Sequence, residues 1–455
     1  MNRAELLEGP IAPTLLRLAA PVLVVLAVQT VVGVAETWFV SFLGTAAIAG
    51  VALVFPLFML MTMMSNGGMG GGVSSAIARA LGAGRNADAD ALVGHALAIA
   101  VACGAFFTLG AWIFGPMLFR ALGAQGETLR NAVLYSNLVF AAAIPAWIAN
   151  LFASALRGAG NVRVPAVITF AGAVVTLALS PLLIFGWGFV PGFGVAGAGM
   201  AMIAFNVAAA VVLGVYLRSA ASPVRLRAGR FERRLFGQIL RVGLLSALGT
   251  IVSNLTVVVT TAFVGPAGRD AIAGYGLASR LDYLLIPLAF ALGTALVTMV
   301  GTNVGAGRVA RARRVAWTGA AISSSALAVI GFTAAAFPAA WLGLFSNDPE
   351  VLRVGSQYLA RVAPFYPFVG LGMALYFASQ GVGRIAWPFA AGLARLGVVV
   401  AGGAWWMGPH HGSLTGLFWI VAAAQVAFGA VNAIGMQRAE KVREPLPAPA
   451  ARQPA

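Results

Sequence analysis

Glu36 and Asp282 are the two acidic side chains that lie well inside long apolar stretches; the other 11 of the 13 Asp and Glu fall in connections, linker or termini. In the segment VVGVAETWFVSFLGT, Val31 to Thr45, Glu36 is the one charged residue. A carboxylate held among hydrocarbon is expensive and by default marks a functional position. The chemistry open to it is reversible protonation, because apolar burial favours the neutral form, or the binding of a cation. Helix rise sets the depths: Glu36 precedes Gly44 by eight residues, about 12 Å, and Asp282 is some 12 residues, about 18 Å, into its stretch. Asp282 has Arg280 two residues away and Arg395 in another apolar stretch, so a structural ion pair is an alternative for it. Glu36 has no basic neighbour in its own helix.

Uncharged polar side chains form a second set. Gln29, Asn66, Asn150, Asn206 and Asn254 lie in apolar stretches, where an Asn serves either as a ligand group or as an interhelical hydrogen bond. The glycine-rich run NGGMGGGVSS, 66–75, lacks the Lys and preceding strand of a phosphate loop, so its glycines read as close helix contact and bending. His410 and His411 have no third ligand nearby, and Cys103 is the only cysteine, which argues against a metal site, a disulfide and any cofactor. No nucleophile–base set is present, so the chain does not read as an enzyme. Met59, Met61, Met63 and Met64, with Phe55 and Phe58, would suit either an adaptable apolar cavity or plain packing.

The elements that must position these groups are membrane helices. Of 455 residues, 60% are hydrophobic and 9% charged, against about a quarter charged in a soluble domain. Runs such as Ala89–Pro116, Ala166–Trp187 and Ala316–Phe337 exceed the roughly 20 residues that cross a bilayer. Backbone amides in lipid must be satisfied internally, so the spans are helices. Twelve fit: 13–43, 46–80, 89–115, 127–157, 164–188, 194–218, 237–264, 271–303, 309–336, 350–380, 386–408 and 412–437. Pro21, Pro56, Pro145, Pro181, Pro287 and Pro364 supply kink points, with Pro21 a candidate hinge in helix 1. The first apolar stretch is too long for a signal-peptide core and reads as a retained helix.

The net charge of +16 is not a nucleic-acid footprint. Of 29 Lys and Arg, only Arg120, Arg130, Arg269 and Arg353 fall in odd-numbered connections, and Arg280, Arg361 and Arg395 lie within spans; the rest occupy even-numbered connections and the termini. That bias places both termini in the cytoplasm. The basic run lacks the fold signatures and interleaved aromatics of nucleic-acid binding. Membrane lipids and a small-molecule substrate are the expected partners, and the chain is expected to act as a monomer in a bacterial inner membrane.

The sequence repeats itself. VSSAIARALGAGR ends at Arg85 and LVTMVGTNVGAGR at Arg308, a shift of 308 − 85 = 223. The same shift lays RGAGNVRVP (157–165) on QGVGRIAWP (380–388). An even number of spans per repeat gives two parallel six-helix halves, related by an axis along the membrane normal. The expected division is an N-terminal lobe 1–217, a basic cytoplasmic linker 218–236, a C-terminal lobe 237–437 and a disordered tail 438–455. Glycine in GAGR suits a left-handed helix cap.

These motifs together resemble the multidrug and toxic compound extrusion (MATE) family. The resemblance rests on AETWFVSFLG in helix 1, IARALGAGR after helix 2, RGAGN after helix 4, GVAGAGMA opening helix 6 and GTNVGAGRVARARR after helix 8, and it covers nearly the whole chain. It implies twelve helices in two lobes around a V-shaped cleft, and cation-coupled export of amphipathic, cationic drugs by alternating access. Glu36 then stands where the family usually has Asp in helix 1, and Ser180, in TLALSP, where many bacterial members have a second Asp. Helices 7 and 10 lack the acids of the norfloxacin-exporter branch, so the chain looks closer to the DNA-damage-inducible branch. The expected coupling ion is H⁺, with Na⁺ as the alternative, through Glu36 and Asp282. Gln29, Asn66, Asn206, Asn254, Arg280, Arg395 and Ser180 are the expected cleft residues. A lipid-linked sugar flippase of the same superfamily is the second reading; a membrane enzyme and a structural module follow.

Overall fold

A computed structural model describes residues 3–188, 190–227, 229–408 and 412–441. His410 and His411 and the tail beyond residue 441 lie outside the described residues. Among those described, the regular structure is helical, apart from a single bridge between Trp187 and Val190. Eleven apolar helices are long enough to cross a membrane, and a bent pair makes a twelfth. They are α1 Ile11–Ser41, α2 Thr45–Gly82, α3 Asn86–Ala121, α4 Gly126–Ala141 with Ala143–Gly158, α5 Arg163–Phe185, α6 Val195–Arg218, α7 Arg233–Ala267, α8 Arg269–Gly305, α9 Val309–Ala336, α10 Pro349–Val382, α11 Ala386–Met407 and α12 Leu414–Lys441. A short helix, Arg3–Glu8, precedes α1.

Several boundaries differ from expectation. Helix α3 runs on to Ala121, α7 starts at Arg233 and α12 continues to Lys441, because polar residues extend a membrane helix into water without breaking its hydrogen bonds. Helix α4 bends by 43° at Ala142, just ahead of Pro145. Helix α10 tightens into a 3-10 turn, Ala363–Phe365, at Pro364. Helix α1 passes through Pro21 without interruption. In α2 the residues Met64–Met69 form a π-helical turn, so the glycine-rich run widens the helix where it meets the other lobe.

The twelve helices form two six-helix lobes, and the lobes touch at one end. Near that end α2 and α8 each finish in Gly-Ala-Gly-Arg. Gly84 and Gly307 adopt φ of 74° and 76°, and the amides of Arg85 and Arg308 close both helices onto Ala80 and Asn303, each at 2.9 Å. These are left-handed caps of the expected kind. The inter-lobe seam then shows the repeat in three dimensions. Ser75 Oγ donates to the carbonyl of Gln380, and Thr298 Oγ1 donates to the carbonyl of Arg157 at 2.9 Å. The shift of 223 converts one bond into the other. Small residues allow the approach: Gly68 and Gly72 of α2 lie on the backbone of Ala247 and Ile239 in α7.

The apolar clusters define the shape. One joins the lobes: Leu15, Leu18 and Val22 of α1 pack with Leu296, Val300 and Leu375. The two clusters at the far end belong to single lobes, Val40, Ala47, Ile184, Val195 and Ala198 in one, and Val264, Tyr275, Tyr358 and Phe418 in the other. The bundle is therefore a V, sealed at the end that carries Arg79, Arg85 and Arg308 and open at the other. Helix α1 belongs to both arms. Its first half docks on the C-terminal lobe and its last turns pack with α5 and α6.

Candidate functional site

Glu36 lies one turn before Val40 on α1, half-buried in the N-terminal lobe. Ser180 lies one turn before Ile184 on α5. Val40 and Ile184 share one cluster, so Glu36 and Ser180 occupy the same level of neighbouring helices. Ser180 is fully buried and its Oγ has no partner among the described residues. Tyr135 of α4 packs on the same cluster and lies within electrostatic reach of Glu36. No described side chain forms a hydrogen bond or ion pair with the Glu36 carboxylate. The arrangement is a carboxylate with polar neighbours and no ion-pair partner among the described residues, which can hold a proton or a small cation.

Asp282 belongs to a different kind of site. On α8 of the C-terminal lobe it accepts hydrogen bonds from Tyr358 Oη at 2.7 Å and from Tyr366 Oη, both on α10. Tyr275, Tyr358 and Phe418 form an aromatic cluster around it, with ring centroids 5.3 Å apart for Tyr275–Tyr358 and for Tyr358–Phe418. Arg395 of α11 lies within electrostatic reach of the carboxylate while its guanidinium sits 5.8 Å over the Phe428 ring. Arg280 is not its partner, contrary to expectation. Residues two apart on a helix point to different sides, and the Arg280 guanidinium lies 5.9 Å over Phe345 instead. The tyrosines that do hold Asp282 are 76 and 84 residues away, and nothing local in the sequence announces them.

The remaining candidates scatter. Asn206 and Asn254 each return the side-chain amide to a carbonyl of their own helix, Met202 at 2.8 Å and Thr250 at 2.9 Å. Gln29 is exposed on α1, and Pro21 is half-buried within the part of α1 that docks on the other lobe. Arg361 donates to its own helix at Gln357. Asn66 is the exception: it sits on the π-helical turn of α2 and its Oδ1 accepts from Arg157 at 3.3 Å. Arg157, read from the sequence as part of a connection, stands instead in the seam between the lobes. Its depth follows from the bend of α4 and the extra length of α2, which no local pattern encodes. No group of three or more His, Cys, Asp and Glu that could hold a metal occurs among the described residues.

Comparison with known proteins agrees with this architecture. The chain is 28% identical to a protein named FAD transporter from Shewanella oneidensis over 389 residues, 83% of each chain. It is 26% identical to the probable multidrug resistance protein YoeA of Bacillus subtilis over 352 residues, 76% of each. It is also 26% identical to the probable multidrug resistance protein NorM of Thermotoga maritima over 378 residues. Among solved structures, a MATE transporter in a bent conformation superposes with a TM-score of 0.89 at 24% identity, covering 97% of this chain and 98% of that one. A MOP superfamily transporter from Pyrococcus furiosus superposes at 0.86, with 24% identity and the same coverage. The sequence profile of the MatE family matches residues 21–182 and 246–406, one block in each lobe, and the chain belongs to that family of membrane transporters.

Proposed function

We propose that the protein exports amphipathic organic compounds, cations among them, in exchange for H⁺ by alternating access. The observation that carries this reading is Glu36: a carboxylate inside helix α1, without a basic partner, in a two-lobed bundle closed at one end. Helix α1 supplies a route from proton to conformation. Its Glu36 end packs in the N-terminal lobe and its first half forms part of the seal with the other lobe. Removing the charge at Glu36 removes its burial cost, so helix α1 repacks and the seal loosens or tightens with it. Such coupling requires two states that differ in proton affinity. Na⁺ is the alternative ion, with further oxygens beside Glu36 needed to complete its shell.

In this reading the lobes are residues 1–217 and 237–437, joined by the linker 218–236. The sealed end faces the cytoplasm of a bacterium, the chain acts as a monomer among membrane lipids, and both termini are cytoplasmic. Gln29, Asn66, Asn206, Asn254 and Ser180 line the path, Pro21 lets α1 adjust, and Asp282 with Arg395 and Arg280 tunes the C-terminal lobe. The deciding experiment reconstitutes the purified protein in liposomes and measures ethidium efflux under an imposed pH gradient, an imposed Na⁺ gradient, or neither. Efflux driven by pH alone is expected; efflux indifferent to both gradients defeats the coupled-export reading.

A second reading is an exporter of anionic or lipid-linked compounds, a lipid-linked sugar flippase among them. It is favoured by the arginines that face inward, Arg157 and Arg395, and by the relative whose name gives FAD as its cargo.

A further inference from the structure

Arg157 is a cation that the coupling scheme does not use. It stands at the inner end of α4, in the seam between the lobes, where Thr298 of α8 donates across the seam to its carbonyl. Its guanidinium makes two hydrogen bonds, both to neutral side chains. Nη2 donates to Ser154 Oγ at 2.7 Å and to Asn66 Oδ1 at 3.3 Å, and Nε is buried with no partner. No carboxylate among the described residues forms an ion pair with it; the ion pairs among those residues lie near helix ends and in the linker. A half-buried charge lacking a counter-ion is costly for a fold to keep, and in a membrane such a group is a functional position by default.

The surroundings fit an oxyanion. The space beside Arg157 is bounded by Asn66, Gly67, Gly70 and Gly71 on one side and by Phe290, Thr294 and Gln380 on the other, so both lobes contribute. The glycines pack tightly here: a Cβ at Gly70 would lie 2.4 Å from Ser154 Oγ and 2.9 Å from the carbonyl of Ser65, and one at Gly71 would lie 2.3 Å from Gln380 Oε1 and displace that side chain. Gln380 is the repeat counterpart of Arg157, since 157 + 223 = 380, and it is neutral. Its Nε2 is spent on Gly67 O, Ser246 Oγ and Tyr376 Oη. The pseudo-two-fold axis thus carries a charge on one side only. A carboxylate or phosphate group is the ligand that pairs with a guanidinium through parallel hydrogen bonds.

We propose that Arg157, with Asn66, is an anion-recognition site at the floor of the cleft, and that the compounds exported include amphiphiles bearing a carboxylate or phosphate. The proposal rests on the export reading and narrows its substrate class. In the sealed state the space admits no more than about one water molecule. An anion therefore reaches Arg157 when the lobes part at the sealed end, and closure of the seam displaces it toward the open arm of the V. Two states with different affinity for the anion are what exchange requires.

The test compares two dyes in proteoliposomes containing the full chain: carboxyfluorescein, an anion, and ethidium, a cation. Wild type is expected to export both. Arg157→Gln should lower carboxyfluorescein efflux about tenfold more than ethidium efflux, and Arg157→Lys should recover part of the difference. Ethidium export without carboxyfluorescein export by wild type overturns the anion site and leaves the export reading standing; movement of neither dye defeats the export reading itself. Equal loss of both dyes in Arg157→Gln overturns the proposal in favour of a structural gate. If Arg157→Gln does not fold, Asn66→Ala and the anisotropy of carboxyfluorescein bound to wild type in detergent decide. Binding that inorganic phosphate displaces supports an oxyanion site, and no binding overturns it.

Discussion

Gly82 rests on the carbonyl of Thr302: a Cβ at Gly82 would lie 2.2 Å from that oxygen, and a Cβ at Gly305 would lie 2.2 Å from the carbonyl of Arg79. The shift of 223 maps one contact onto the other. The two lobes thus close on each other as a pseudo-symmetric pair, and the seal is made of backbone against backbone. Such a contact leaves no room for a side chain and has no flexible group that could yield.

Gly82→Val and Gly305→Val should each open the seal. Overpacking of this kind costs about 1–3 kcal/mol. In a Cys103→Ser background, Ala78→Cys, which faces Gly301 across the seam, reports the change through its rate of thiol labelling. The rate should rise about tenfold in either glycine variant. An unchanged rate in both would mean that the lobes separate elsewhere.

Glu36→Gln should reach the membrane and fold, yet fail to couple ethidium efflux to a pH gradient. Glu36→Asp should keep partial activity, since it retains the titrating group on a shorter stem. Loss of the gradient-driven component of efflux is expected for Gln, because the side chain can no longer bind and release a proton. Wild-type dependence on the gradient in the Gln variant removes Glu36 from the coupling role.

Asp282 should behave as a mixed case, because two tyrosine hydroxyls converge on it. Asp282→Asn turns one acceptor oxygen into a donor that faces a hydroxyl. An unsatisfied buried group costs about 1–3 kcal/mol, so the melting temperature in detergent should fall along with transport. Tyr358→Phe should show a smaller loss of stability, since Tyr366 still holds the carboxylate. Loss of transport at unchanged melting temperature in Asp282→Asn would make it a coupling or substrate group.

The N-terminal segment should act as a strap over the seal. Arg3 Nη2 donates to Gly82 O at 2.7 Å in one lobe, while Asn303 Nδ2 donates to Leu6 O at 3.0 Å and Arg308 Nη1 to Leu7 O at 2.9 Å in the other. The exposed Arg308–Glu8 pair adds little, about 0–1 kcal/mol. The buried Asn303 contact matters more. Asn303→Ala should speed amide exchange of residues 3–9 and of the end of α8, whereas Glu8→Ala should leave both nearly as they are. Equal effects from the two would place the strap's stability in its surface charge.

The membrane class, the helix count, the repeat and the two intramembrane acids were legible in the sequence, because each is written in local chemistry. Hydropathy is a property of a run of residues, and the 223-residue shift compares one run with another. The left-handed caps at Gly84 and Gly307 follow in the same way from GAGR. What the tertiary structure decided is partnership and depth. Arg280 neighbours Asp282 in sequence, but helical geometry turns it away, and Tyr358 and Tyr366 from another helix take its place. Arg157 looks like one more basic residue at a helix end. It becomes a half-buried cation in the seam only because α4 bends at Ala142 and α2 continues past it to meet α8. Those outcomes depend on how long helices cross one another, and crossing is set by packing between residues far apart in the chain.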